Sequence, residues 1–197
     1  MRARLALLAR GTPCELREVK LSAKPPELIA ASAKATVPVL VLPDGRVIDE
    51  SLDIMRWALD REGPGRWLNS SDADWVAAND GAFKGHLDRY KYCERCVSDA
   101  SSHRAAAMVY VQRLDARLAL RPYQRYPAPD MTDMTDMAIM PFVRQFAQID
   151  RAWFDTQPVP YAHSWLAGWL ASSLFQASML RVPAWKPGDE PVFFQAG

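Results

Sequence analysis

The sequence has little of what marks a secreted, membrane-spanning or nucleic-acid-binding protein. Three cysteines in 197 residues, an odd number, argue against a disulfide framework and favour a reducing cytoplasmic setting. The formal net charge is only +1, so no strong field is available to hold nucleic acid or an anionic membrane surface. No uncharged run reaches the roughly 18 residues of a membrane span. We therefore expect a soluble, cytoplasmic protein.

Common catalytic and metal-binding signatures are also missing. The sequence contains no G-x-S-x-G, P-loop, G-x-G-x-x-G or H-E-x-x-H pattern. Cys93 and Cys96 form a C-x-x-C pair, but zinc needs two more ligands, for which His86 and His103 are the only nearby candidates. We expect no metal. Cys14 follows the end of the first predicted helix, a position typical of a structural thiol rather than an activated one.

The most informative stretch covers residues 36–51. Its continuous apolar run at 39–42 is typical of a strand that is buried on both faces. Pro-Asp-Gly at 43–45 then predicts a tight turn, followed by a second short strand at 47–48. Ser51 precedes apolar residues at helical spacing and is predicted to be the N-cap of a helix.

Two features of this stretch indicate a ligand. If the Val37-Pro38 bond is cis, the N–H and C=O of Val37 face outward and can pair with an extended, peptide-like ligand. The helix start at Ser51 offers a hydroxyl and free backbone N–H groups to a carboxylate. Glu50-Ser51 alone is more typical of a plain helix cap, but its spacing from Val37-Pro38 favours the ligand site.

The segments V-P-V-L at 37–40 and D-E-S-L at 49–52 resemble the glutathione site of the glutathione S-transferase family. Within that family the likeness is to the Cys-type members, which include omega-like and beta-like bacterial relatives. The resemblance implies that Glu50 and Ser51 bind the γ-glutamyl end of glutathione. The resemblance also implies that the cysteinyl part of glutathione binds the backbone at Val37-Pro38.

The same resemblance implies two further site residues. Lys24 falls where several Cys-type members carry a lysine near the glycyl carboxylate, although a solvated lysine at a helix start explains it equally well. Tyr90 lies on a helix that walls the apolar substrate pocket in the family, although most aromatic residues at such spacing form ordinary helix-bundle core.

The resemblance also implies the fold and its division. We expect an α/β thioredoxin-like glutathione-binding domain at 1–62, a linker at 63–71 and an all-helical domain at 72–197. In the family a central strand and a loop carrying the reactive residue precede the first helix, which here begins near Met1. We therefore expect the first strand to be missing, the natural start to lie upstream of Met1, and no catalytic residue to be present in this sequence.

The second half is predicted to be helical from its apolar spacing. Helices are expected at about 72–96, 102–119, 131–149 and 160–176, with an apolar tail that packs back on them. Asp133 and Asp136 form a capping-box-like pair at the start of the third. Pro141 either kinks that helix or marks its first turns, and the pattern alone leaves both readings open.

The function implied by the resemblance is that of a glutathione transferase. Such a protein would use glutathione as co-substrate, transfer it to an electrophile or exchange it with a disulfide, and form a homodimer. The alternative is a non-catalytic, truncated binding or scaffold protein of the same fold. The sequence does not separate conjugation from thiol transfer.

Overall fold

The computed structural model describes residues 1–60, 73–92, 99–120 and 134–194. Contacts within the chain divide it into two compact units, Met1–Asn69 with Ser173–Gly197, and Ser70–Ser172. The linker predicted at 63–71 lies outside the described residues. The segment 173–197, which the sequence analysis assigned to the helical domain, groups instead with the N-terminal unit.

The helices of the N-terminal unit are α1 (Arg2–Ala9), α2 (Pro26–Ala31), α3 (Ser51–Asp60) and, from the far end of the chain, α10 (Ser173–Ser178). Helix α1 packs against both α3 and α10. It is therefore buried on nearly every side, including at Arg2. Gly11, with a φ of 61°, follows the end of α1.

Two small antiparallel sheets complete this unit. One is the predicted hairpin, in which β2 (Leu40–Val41) pairs with β3 (Val47–Ile48). The Pro-Asp-Gly turn connects its strands, and Gly45 adopts the positive φ of 83° that such turns require. The other sheet joins β1 (Cys14–Glu15) to β4 (Phe193–Phe194).

The strands differ from the sequence-based prediction in two ways. Val41 is 55% exposed, so the prediction of a strand buried on both faces is wrong for this residue. The apolar tail, which the sequence predicted to pack on the helices, forms a strand that pairs with β1. The Leu16 N–H, just after β1, donates to the Val192 carbonyl of the tail at 2.7 Å. Arg4 of α1 donates to the Leu180 carbonyl and to the Glu18 carboxylate, so the tail is connected to α1 as well.

The second unit is helical in its described residues, as predicted. Its elements are α4 (Ala73–Ala78), a π-helical segment (Asn79–Phe83), α5 (Lys84–Lys91), α6 (Ala100–Ala119), α7 (Met134–Ile149), α8 (Arg151–Asp155) and α9 (Pro160–Ala171). Pro160 opens α9, where its missing N–H is not needed. The helix predicted at 160–176 is thus two helices, because the chain is extended at Ser172.

Buried aromatic rings hold this unit together. Phe83 stacks on Tyr110 with ring centroids 4.5 Å apart and meets the edge of Phe146 at 5.8 Å. Helix α7 contains Pro141 in its interior, so Pro141 does not mark the first turns of this helix. Asp133, half of the predicted capping pair, lies outside the described residues, whereas Asp136 is fully buried in the first turn. No helix in the described ranges is long and apolar enough to cross a membrane.

Candidate functional site

The segment around Val37 and Pro38 presents free backbone groups. The Val37-Pro38 peptide bond is cis, and Val37 is 46% exposed. Neither the N–H nor the C=O of Val37 is hydrogen-bonded to any residue that the structure describes. These two groups can therefore pair with the backbone of an extended ligand, since strand addition needs one donor and one acceptor on an accessible edge.

A cavity of about 1020 Å³ lies beside this segment, within the N-terminal unit. Leu7 of α1 and Ile54 of α3 contribute to its apolar wall, and the chain around β1 and β2 forms other parts of the lining. Val37 and Pro38 both border it, as does Phe194 of β4. The free backbone groups thus adjoin a space large enough for a small molecule.

A cluster of charged and polar side chains precedes α3. Lys34 Nζ lies 2.6 Å from Glu50 Oε1 and 3.3 Å from Asp49 Oδ1, and the Ser32 hydroxyl donates to Asp49 Oδ2 at 2.9 Å. The hydrogen bond from Ser32, with help from Lys34, holds the pKa of Asp49 below its usual range. Glu50 and Asp49 in turn raise the pKa of Lys34. The cluster therefore favours the charged forms of Asp49 and Lys34.

Helix α3 begins one residue earlier than the sequence suggested. The Glu50 carbonyl accepts the first intrahelical bond, from the Ile54 N–H at 2.9 Å, so Glu50 is the N-cap and Ser51 the first helical residue. The prediction of Ser51 as N-cap is wrong by one position. Its backbone N–H belongs to the first turn, whose donors have no partner inside the helix and suit an anionic group.

The other two predicted site residues are Lys24 and Tyr90. Lys24 is exposed just before α2 and makes no ion pair with any described residue. Tyr90, on α5 of the helical unit, lies 5.9 Å from the Phe146 ring, and the Arg104 guanidinium is also 5.9 Å from its centroid. Their roles at a ligand site therefore stay predictions.

Cys14 is the only cysteine among the described residues, because Cys93 and Cys96 lie outside them. It is half-buried at the cavity wall, with Sγ 3.6 Å from the Thr12 carbonyl oxygen. The Cys14 side chain is thus only partly buried. Cys14 lies in a strand that follows the C-terminal end of α1. A cysteine is typically activated by the N-terminus of a helix, and Cys14 does not occupy such a position.

Lys34 and Ser32 were not identified from the sequence as members of this site. They precede their partners Asp49 and Glu50 by 15 to 17 residues and share no recognisable motif with them. Sequence patterns capture contacts within a helical turn or a hairpin, so a pair brought together by the chain's path leaves no such signal.

Comparison with known proteins agrees with this architecture. Residues 1–61 match the family profile described as glutathione S-transferase, N-terminal domain. Among curated protein sequences no relative matches the chain. Solved structures do resemble it. A glutathione transferase from Burkholderia graminis, bound to two glutathione molecules per subunit, is 18% identical with a TM-score of 0.71, over 90% of this chain and 81% of its own.

Two further structures show the same likeness. A glutathione S-transferase from Methylobacillus flagellatus with bound glutathione is 16% identical, with a TM-score of 0.68 over 90% of this chain and 92% of its own. Gtt2 from Saccharomyces cerevisiae is 20% identical, with a TM-score of 0.65 over 90% and 94%. The N-terminal residues thus belong to the glutathione S-transferase N-terminal domain family. The chain has the glutathione S-transferase fold, a thioredoxin-like domain followed by a helical one.

Proposed function

We propose that this protein binds glutathione through Val37, Glu50 and Ser51. The observation that carries the proposal is the free N–H and C=O of Val37 beside a cavity, because a tripeptide needs such a backbone partner. The Burkholderia and Methylobacillus structures of the same fold contain glutathione, which supports the choice of ligand.

The chemistry of glutathione matches these groups one by one. Its γ-glutamyl end carries an ammonium group and a carboxylate. The Glu50 carboxylate attracts the ammonium group, and the first N–H groups of α3, with the Ser51 hydroxyl, attract the carboxylate. The cysteinyl amide then pairs with Val37. Lys24 serves the glycyl carboxylate and Tyr90 the second substrate in the same proposal.

Lys34 adds a condition to this binding mode. Its ammonium group already lies 2.6 Å from Glu50 Oε1, so an incoming ammonium group must share that carboxylate. Glu50 is exposed and has a second oxygen, so sharing is sterically simple. Lys34 also places positive charge near the carboxylate of the γ-glutamyl end, which offsets part of the competition.

For the reaction, we propose transfer of glutathione to an electrophile or its exchange with a disulfide, by a homodimer in the cytoplasm. A second candidate is binding or scaffolding without catalysis. The position of Cys14 favours this second candidate, since its thiol is hydrogen-bonded to Thr12 and has no helix N-terminus behind it. Assays with chlorodinitrobenzene and hydroxyethyl disulfide distinguish conjugation, thiol transfer and simple binding.

The binding proposal is tested with the double variant Glu50→Ala/Ser51→Ala. Loss of hydrogen bonds to charged groups costs about 1.5–3 kcal/mol each, so calorimetry should show glutathione bound at least about tenfold more weakly. Asp53→Ala is the matched control, because Asp53 lies in the same first turn but pairs with Arg56 at 2.7 Å. Equal affinity of the double variant and the wild type would refute the site.

A further inference from the structure

The two small sheets of the N-terminal unit each have a free edge beside the cavity. In the sheet of β1 and β4, Cys14 pairs with Phe194, and the Leu16 N–H donates to the Val192 carbonyl at 2.7 Å. Hydrogen-bonded pairs alternate along an antiparallel ladder, so the N–H and C=O of Glu15 are directed away from β4. Neither group is hydrogen-bonded to a described residue, and Glu15 lines the cavity.

The hairpin has the same arrangement. The Leu42 N–H donates to the Arg46 carbonyl at 2.8 Å, and the register pairs Val41 with Val47. The backbone N–H and C=O of Val41 are therefore directed away from β3. They have no hydrogen-bond partner in the described part of the chain, and Val41 also lines the cavity. We call the space between the β1 edge at Glu15 and the β2 edge at Val41 the strand gap.

Helix α2 supports the interpretation of this space as a place for a strand. No residue of α2 is buried, although Leu28 is apolar and lines the cavity. Leu7 of α1 and Ile54 of α3 line it as well. An extended segment in the strand gap would cover these apolar side chains and would pair with both edges, so that the two sheets become one.

The charged groups of the cavity wall define the chemistry of such a segment. Three ion pairs on the wall have N–O distances of 2.7 Å, namely Arg4–Glu18, Arg17–Glu15 and Arg46–Asp44. Because these charges already neutralise one another, an uncharged segment is favoured over a charged one. A continuous apolar run of about five residues fits, since that is typical of a strand covered on both faces.

The occupant has to come from outside residues 1–197. An inserted strand must pair on both edges, whereas each of β1 to β4 already pairs on one edge. A described strand of a second copy therefore cannot enter the strand gap. The sequence outside the described ranges, at 61–72, 93–98, 121–133 and 195–197, contains no run of five uncharged apolar residues.

We propose that the strand gap binds one extended, uncharged and apolar segment of a partner protein, which adds a β-strand between β1 and β2. Backbone hydrogen bonds on both edges give affinity, and the apolar walls select the side chains. The site uses the backbone of Glu15 and Val41 rather than that of Val37. It therefore does not depend on glutathione binding.

The test is fluorescence anisotropy of the full chain with a fluorescein-labelled peptide of five alternating valines and leucines between glycine-serine spacers. The wild type should bind one peptide per chain. The control peptide carries N-methyl groups on alternate amides, which keeps the side chains but removes the donors to one edge. It should bind at least about tenfold more weakly, because two or more hydrogen bonds are lost together.

Two proline variants form a matched pair. Val41→Pro removes the free N–H of the β2 edge without taking a hydrogen bond from the hairpin, and should weaken binding at least about fivefold. Val47→Pro is the control, because Val47 is the cross-strand partner of Val41 and directs its N–H to the outer edge of β3. It should bind within about twofold of wild type.

A measurement on the wild type guards against misfolded variants. Amide hydrogen exchange at Glu15 and Val41 should slow when the peptide is added, while exchange at Val47 stays unchanged. No binding by the wild type, equal binding of the N-methylated peptide, or equal loss in the two proline variants would overturn the proposal.

Other occupants give different results. Displacement of the peptide by glutathione would place the peptide at Val37 and would also overturn the proposal. Intact mass of the natural protein, combined with hydrogen exchange, identifies an occupant from the same chain. An N-terminal extension that protects Glu15 and Val41 without added peptide would contradict binding of a partner.

Discussion

The tail strand β4 offers a sharp test of how the N-terminal unit is held together. Its two residues are identical in type but opposite in environment, since Phe194 is 3% exposed and Phe193 is 62% exposed. Phe194 also lies 5.6 Å from the Arg4 guanidinium, measured to the ring centroid. Replacing each by alanine changes the same number of atoms, so the difference between the variants isolates burial.

The expected magnitude follows from this environment. Truncating a buried phenylalanine costs about 3–5 kcal/mol, and the lower value applies to Phe194 because its ring borders a cavity. Phe193→Ala should change the free energy of unfolding by less than about 0.5 kcal/mol. Detachment of the tail should therefore become easier by about 3 kcal/mol in Phe194→Ala, or about two orders of magnitude in equilibrium constant.

Amide hydrogen exchange measures this detachment directly. The Leu16 N–H donates to the Val192 carbonyl at 2.7 Å and the Trp185 N–H to the Glu18 carbonyl at 2.8 Å, so both exchange only when the tail opens. Both amides should exchange about a hundredfold faster in Phe194→Ala and almost unchanged in Phe193→Ala. Equal acceleration in the two variants would refute the argument that burial of Phe194 anchors the tail.

Two other predictions concern the helical core and the cluster before α3. Phe83→Ala should destabilise the helical unit by about 4 kcal/mol, because Phe83 is 1% exposed and stacks on a neighbouring ring. Tyr92 is 46% exposed, so Tyr92→Ala should destabilise it by less than about 0.5 kcal/mol. Urea unfolding midpoints compare the two, and similar shifts would contradict the assignment. NMR titration should give Asp49 a pKa below the usual Asp range, with Ser32→Ala raising it. Since the pKa of Asp49 is lowered in the folded protein, its ionised carboxylate stabilises the fold at neutral pH, and this stability is lost on acidification. An unchanged Asp49 pKa in Ser32→Ala would exclude the hydrogen bond from Ser32 as the cause.

The locally encoded elements were predictable from the sequence. The Pro-Asp-Gly turn, the hairpin strands and the start of α3 to within one residue follow from backbone preferences over a few positions. The helical second half follows from apolar periodicity, and the resemblance that identified Val37-Pro38 also rested on a short motif. Burial was less predictable, since Val41 is apolar yet 55% exposed.

What the sequence determined by itself is therefore the set of local conformations and the short motifs on which the glutathione S-transferase resemblance rests. Only the tertiary structure decided the long-range partners. Arg4 meets the Leu180 carbonyl across 176 positions, β4 pairs with β1, Lys34 reaches Glu50, and His86 reaches His103. The physical reason is that turn and helix signals act between residues a few positions apart. A strand edge or a charged side chain could bind many distant partners with similar energy, and the packing of the whole unit selects one.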